Sequence, residues 1–217
     1  MKRFILLGSG APARNVHAIL SRLSPGSEIF PASTAEELRN VPLTEDTWLI
    51  SHSTSVIVPA SLLEKLSCRA INIHSASPAY PGRDPHHFAI YDGATRYGAT
   101  AHFMTPKVDD GSILDVEWVD VSPDETPNSL LLKANAAALI VTERVVSRLL
   151  AGTAAPNGDR WSGRKTTRSA FRELCEVTVH TPAAEVERRR RAVAVPGRGN
   201  LFVTLNGIRF YHIEPTN

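Results

Sequence analysis

Lys2-Arg3-Phe4-Ile5-Leu6-Leu7-Gly8-Ser9-Gly10-Ala11-Pro12 is a short apolar run stopped by a glycine turn, and its reading decides the fold. The run predicts a buried strand over Lys2–Leu7, and the turn leads into a helix over about Arg14–Leu23, a βα opening. A secretory leader begins similarly, but its apolar stretch is longer than Phe4–Leu7. The turn also falls short of the dinucleotide fingerprint G-x-G-x-x-G, because Ala13 stands where the third glycine belongs. A glycine turn at a helix start can still hold an acceptor phosphate on its backbone N–H groups.

Working outward, Glu28–Phe30 predicts a second strand and Thr34–Arg39 a short helix capped by Ser33 or Thr34. Thr47–Ser51 predicts a third strand, Ala60–Leu66 a helix after Pro59, and Ala70–Ile73 a strand that ends at His74. This alternation builds an α/β, Rossmann-like, mostly parallel sheet whose ligands lie beyond the carboxyl ends of the strands. A Pro/Gly-rich loop over Ser75–Pro85, a helix over His86–Gly93 and strands over Ala99–Met104 and Ile113–Val119 follow. The second strand pair is separated by the turn Val108-Asp109-Asp110-Gly111, and a long helix then runs from near Asn128 to Leu150. Ala151–Asp159 reads as a linker. It divides a core over 1–155 from an extension over 156–217, with a short helix over Pro182–Arg191. The extension ends in a β-hairpin, Leu201–Leu205 and Ile208–His212 around Asn206-Gly207.

The 217 residues, 42% apolar and 21% charged, fit an ordinary globular chain of about one and a half domains and exclude disordered, collagenous and coiled-coil classes. No apolar stretch reaches the ~18 residues of a membrane span. Two distant cysteines, Cys68 and Cys175, without CxxC spacing predict reduced packing residues in a cytoplasmic protein. The net charge of +2 hides an asymmetry: 13 basic against 16 acidic residues over 1–155, and 11 against 6 over 156–217. That balance argues against a general nucleic-acid binder, while the basic extension suits an anionic ligand.

The densest polar constellation is Asn72-Ile73-His74. Strand alternation puts Asn72 and His74 on one side, where an amide and an imidazole can both donate to an oxyanion. The plainer reading is a pair of strand-end residues satisfying loop backbone. Asp109 lies on the turn after the next sheet strand, so it can reach the same face and hold His74 protonated or relay a proton. Taken alone, Asp109-Asp110-Gly111 is an ordinary turn.

Four segments in order, Asn72-Ile73-His74, Pro78-Ala79-Tyr80-Pro81-Gly82, Gly98–Phe103 and Val108-Asp109-Asp110-Gly111-Ser112-Ile113, resemble the formyltransferases that use 10-formyltetrahydrofolate. The resemblance runs from about Ser51 to Ser122. It implies that Asn72 binds the formyl oxygen, that His74 is the catalytic histidine and that Asp109 is the aspartate of the family's Asp-x-Gly turn. It also implies a folate slot between Val56, Ile57 and Pro59 on one side and Val108, Asp109, Asp110 and Gly111 on the other. Ser75-Ala76-Ser77 is one residue shorter than the family's usual Pro-Ser-Leu-Leu. A neutral amine is already nucleophilic, so the chemistry needs no Ser or Cys nucleophile. No metal is expected, since no Cys or acidic residue completes a ligand spacing with the histidines.

Tyr80, Gly82, His86 and His87 are the residues expected on the acceptor side, with helix surface the alternative for both histidines. His102 matches a strand histidine of the purine-pathway members and reads as structural support, and His52 stands at a strand end near the folate. The extension, with Trp161–Arg164 and the hairpin, is similar to that of enzymes that formylate nucleotide-linked amino sugars. It is too short for the roughly hundred-residue barrel of the methionyl-tRNA branch. The expectation is therefore N-formylation of a nucleotide-sugar amine. An amino acid or peptidyl amine is the second acceptor class, and an inactive folate-binding module the non-enzymatic alternative. About one βα unit is missing before Asn72, which leaves the acceptor side more open or completed by a second subunit. The exposed hairpin edge predicts a homodimer.

Overall fold

A computed structural model describes residues 2–162 and 164–215. The first half alternates as expected: β1 (Arg3–Leu7), α1 (Gly10–Leu23), β2 (Glu28–Ala32), α2 (Ala35–Asn40), β3 (Thr47–His52), α3 (Ala60–Leu66) and β4 (Ala70–His74). Then come α4 (Pro85–Asp92), β5 (Arg96–Phe103), β6 (Ile113–Asp120) and the long α5 (Pro127–Leu150). The six strands form one sheet in the order β2-β1-β3-β4-β5-β6. β1 to β4 pair in parallel, whereas β5 runs antiparallel to β4 and β6 antiparallel to β5.

Phe4–Leu7 is continuously apolar because β1 is covered on both faces, as central parallel strands are. Phe4 and Leu6 pack with Val16 and Leu20 of α1 and Val141, Val145 and Leu149 of α5. Ile5 and Leu7 pack on the other face with Leu38 of α2 and Leu62, Leu63 and Leu66 of α3. Each such fully buried side chain contributes about 1.5–3 kcal/mol of transfer free energy. α1 starts at Gly10, four residues before the expected position, with Pro12 inside its first turn. A proline is tolerated there because the first-turn N–H groups have no intrahelical partner anyway.

The extension holds α6 (Arg168–Cys175), β7 (Glu176–Val177), α7 (Ala183–Val193), β8 (Phe202–Leu205) and β9 (Ile208–Tyr211). β8 and β9 are the expected hairpin, and β7 adds a parallel strand to its other side. α6 has no counterpart in the sequence reading. Its apolar residues Phe171, Leu174 and Cys175 are spaced i, i+3, i+4, and Thr167 caps it by accepting from the Ala170 N–H. The extension shares a core with the sheet layer: Leu174, Cys175, Ala192, Val193, Leu201 and Phe202 pack with Ala89, Ile90, Tyr97 and Leu130. Among the described residues no helix is long and apolar enough to cross a membrane. Cys68 is exposed, Cys175 is buried, and both are free thiols.

Candidate active site

β4 delivers Ile71 and Ile73 to the core and turns Asn72 and His74 to the opposite side. Antiparallel pairing sets His102 of β5 directly across from Asn72, and Thr100 across from His74. A β-bulge between Ala101 and His102 shifts the β5–β6 register at this point, a device that re-aims side chains beside functional sites. His102 therefore lies within the cluster, against Asn72 and Asp109. Its Nδ1 donates to the Phe103 carbonyl at 2.8 Å, and its Nε2 lies 3.2 Å from Asn72 Nδ2 and 3.4 Å from Asp109 Oδ1. When neutral His102 accepts from Asn72 at Nε2, the second amide N–H of Asn72 is left for a ligand.

Asp109 arrives from the loop between β5 and β6. Its backbone sits at φ +46°, in the left-handed region that non-glycine residues adopt at a cost. Oδ2 accepts the Gly82 N–H at 2.7 Å and lies 3.8 Å from His74 Nδ1. His74 in turn donates from Nε2 to the Tyr80 carbonyl at 3.0 Å, which leaves Nδ1 facing the carboxylate. The 3.8 Å separation is longer than a hydrogen bond, and catalytic contacts of this kind often close only when substrate is bound.

Burial pulls His74 below the ordinary histidine value, and Asp109 and the Tyr80 carbonyl oppose that pull. Burial pushes the Asp109 carboxyl upward, but the neighbouring His102 and His74 and the Gly82 N–H outweigh it and hold Asp109 below its usual value. The pair at rest is thus a neutral imidazole beside a buried carboxylate, an arrangement that favours taking up a proton.

Beside the cluster lies a narrow cavity of about 90 Å³, lined by Val56, Ile57 and Val58 on one wall and by Met104, Val108 and Asp109 on the other, with Asn72 and His102 at its end. A cavity this small holds only part of a drug-sized ligand. Ile57 and Val108 form exposed apolar lips. Of the residues expected to form a folate slot, Val56, Ile57, Val108 and Asp109 line this cavity. Pro59 instead caps α3, Asp110 is exposed, and Gly111 is buried behind the loop. A Cβ on Gly111 would lie 1.8 Å from the Phe103 carbonyl oxygen, so only glycine fits.

Of the residues expected on the acceptor side, Gly82 gives its N–H to Asp109, and a Cβ there would lie 2.3 Å from the Thr166 carbonyl oxygen. Tyr80 packs its ring against Tyr97 and lines a second cavity, of about 440 Å³, with Phe88, Tyr91, Arg164 and Lys165. Burial, helped by Asp92, pushes the Tyr80 hydroxyl up to about 12. His87 is buried, bonds the Ala192 carbonyl at 2.7 Å and stacks on Phe171, so it joins the extension to the core and lines neither cavity. His86 stacks on His87, and burial with that neighbour lowers it to about 3. His52 is fully buried, lowered by burial to about 4, and lies 3.5 Å from Ser75 Oγ.

The sheet and its strand-end cluster of two histidines, an asparagine and a buried carboxylate beside a small cavity give an α/β protein with the outline of a group-transfer enzyme. The family model described as "Formyl transferase" matches residues 28–146, more than half of the sequence, and the chain belongs to that family. A methionyl-tRNA formyltransferase of Listeria monocytogenes serovar 1/2a is 30% identical over 126 residues, which are 57% of this chain and 40% of that one. The chain thus spans about two fifths of the length of that relative. In structure it is similar to a sugar N-formyltransferase from Shewanella sp FDAARGOS_354, with a TM-score of 0.82 at 18% identity over 100% of this chain and 98% of that chain. It is also similar to an N-formyltransferase from Helicobacter canadensis solved with folinic acid and dTDP-3-aminofucose, with a TM-score of 0.71 at 15% identity over 95% and 85%. At these identities the two likenesses establish a shared fold.

Proposed function

We propose that the protein moves a formyl group from 10-formyltetrahydrofolate to a primary amine on a nucleotide-linked amino sugar. The observation that carries the reading is the convergence of Asn72, His102 and Asp109 on the slot lined by Val56–Val58 and Val108, with His74 3.8 Å from Asp109 behind them. The pterin edge enters the slot, and the formyl carbon is presented to the cluster. The free amine attacks that carbon, and the resulting oxyanion is held by the second Asn72 N–H and by the positive charge of His74 once it is protonated. The amine proton passes to the His74 and Asp109 pair. As the C–N bond to folate breaks, N10 takes a proton, leaving a formamide and tetrahydrofolate. Pocket residues Tyr80, Phe88, Tyr91, Arg164 and Lys165 offer aromatic faces and positive charge for the nucleotide and its phosphates. The dTDP-3-aminofucose in complex with the Helicobacter relative supports this acceptor class over a tRNA. Tetrahydrofolate release over a panel of nucleotide-linked amino sugars, amino acids and aminoacyl-tRNA tests it: release with the sugars is expected, and release only with another class would overturn the acceptor assignment.

The hairpin suits a homodimer. β9 is the edge of its sheet, and Ile208, Phe210, Tyr211 and Ile213 are all at least half exposed. Unpaired edge backbone beside exposed apolar side chains favours pairing with a second copy. Sedimentation is expected to give a dimer, and Phe210→Glu a monomer; a wild-type monomer at working concentration would contradict the pairing.

A further inference from the structure

Asp109 is held at an unfavourable backbone angle on a loop, at 3.8 Å from a histidine on a different element, and the carbonyls that flank it are held from the extension. Trp161 Nε1 donates to the Gly111 carbonyl at 2.8 Å, and Lys165 Nζ donates to the Val108 carbonyl. The carbonyls on either side of the Asp109-Asp110 step are thus both taken by extension side chains. The facing loop is held from the same place. Ser162 N–H bonds the Pro78 carbonyl at 3.1 Å, Thr166 N–H bonds the Pro81 carbonyl at 3.0 Å, and Arg83 N–H returns to the Thr166 carbonyl at 3.1 Å. That loop supplies the Gly82 N–H to Asp109 and the Tyr80 carbonyl to His74. The Trp161 ring also lies edge-on to both histidines, with centroids 5.9 Å from His74 and 5.0 Å from His102.

We propose that Trp161, Ser162, Lys165 and Thr166 form a clamp that sets the separation of Asp109 from His74, with Trp161 as its principal positioning residue. The clamp lies outside the segment matched by the family model, which ends at 146. Its part in turnover rests on the formyl-transfer reading, whereas its geometry does not. Two physical contributions separate. The indole N–H fixes the Asp109 loop, and misplacement of a reacting group by an ångström costs up to about a hundredfold in rate. The indole ring covers His74, whose other charged or titratable neighbours are Asp109 and His102, and that cover maintains the burial that keeps the imidazole neutral.

Two variants of the full chain test these contributions. Trp161→Phe keeps an aromatic ring and removes the N–H; kcat is expected to fall about tenfold while the NMR titration midpoint of His74 stays at its wild-type value. Trp161→Ala removes both; kcat is expected to fall about a hundredfold, and the His74 midpoint moves up toward the ordinary histidine range. Circular dichroism on the same samples measures the folded fraction. The clamp is overturned if both variants keep wild-type kcat and His74 titration, or if their rate losses only follow the unfolded fraction. The His74 titration needs no substrate, so it tests the clamp even if no formyl transfer is found.

Discussion

Asn72 and His102 meet because two hydrogen-bonded strands place them opposite one another, whereas Asp109 meets His74 because two loops are held in place by residues about fifty positions or more away. The strand-borne pair is fixed by sheet register, which cannot slip without turning every core side chain outward. The contact between loop-borne Asp109 and strand-borne His74 is adjustable. Its 3.8 Å gap, its left-handed Asp109 and its dependence on Trp161 and Lys165 describe a contact completed by other parts of the chain. Within one site, a pair fixed by sheet register stands beside a contact set by loops.

The largest effect is expected where the two halves join. His74→Ala removes the imidazole that the proposed mechanism uses for both the oxyanion and the proton, and turnover measured by tetrahydrofolate release should fall about a thousandfold, within the range of general acid–base catalysis. Wild-type turnover in this variant would break the account of the site. Asp109→Asn keeps the shape and tolerates the left-handed backbone, but removes the charge, so kcat should fall about a hundredfold with the folded state retained. An unchanged kcat would move proton handling to His102.

Gly111→Ala tests the loop from below. The new Cβ meets the Phe103 carbonyl oxygen of β5, backbone that cannot yield cheaply, and overpacking of this kind costs about 1–3 kcal/mol. At about 2–4 °C per kcal/mol for a chain of this size, the melting midpoint should fall measurably. A midpoint equal to wild type would mean that the loop is less tightly seated than described.

A smaller, graded effect is expected from pH. His52 and His86 are lowered by burial to about 4 and about 3, so their unfolded forms take up protons first as pH falls below about 6.5. The stability they leave intact is fully present above that pH and is lost progressively toward pH 4 and below. Thermal melts from about pH 7 down to about pH 4 should show a falling midpoint, and a flat profile would contradict the burial of these rings.

The two halves of the site also differ in how far they can be read from sequence. Asn72 and His74 follow from strand alternation, and the glycine turn after Leu7 announces the sheet. His102 is within reach of the same reasoning, since a strand histidine two steps from Thr100 on an adjacent strand shares its face, but the pairing that sets it opposite Asn72 is a long-range fact. The loop half is less legible. Trp161, Ser162, Lys165 and Thr166 act through single hydrogen bonds to distant carbonyls and leave no periodic signal, and Gly111 looks like any turn glycine until the Phe103 carbonyl is found against it. His87, expected on the acceptor side, is drawn inward by α7, whose docking on α4 the local sequence does not encode. Pro12 reads in sequence as the end of a turn because a proline inside a first helical turn looks the same as one just before it.

The most direct test follows the atom that is transferred. With 10-formyltetrahydrofolate carrying a ¹³C-labelled formyl group and a nucleotide-linked amino sugar, mass spectrometry of a single turnover should find the label in a new formamide on the sugar with wild-type protein, and almost none with His74→Ala. Label appearing only as formate, at equal rates in the two proteins, would contradict formyl transfer at this site.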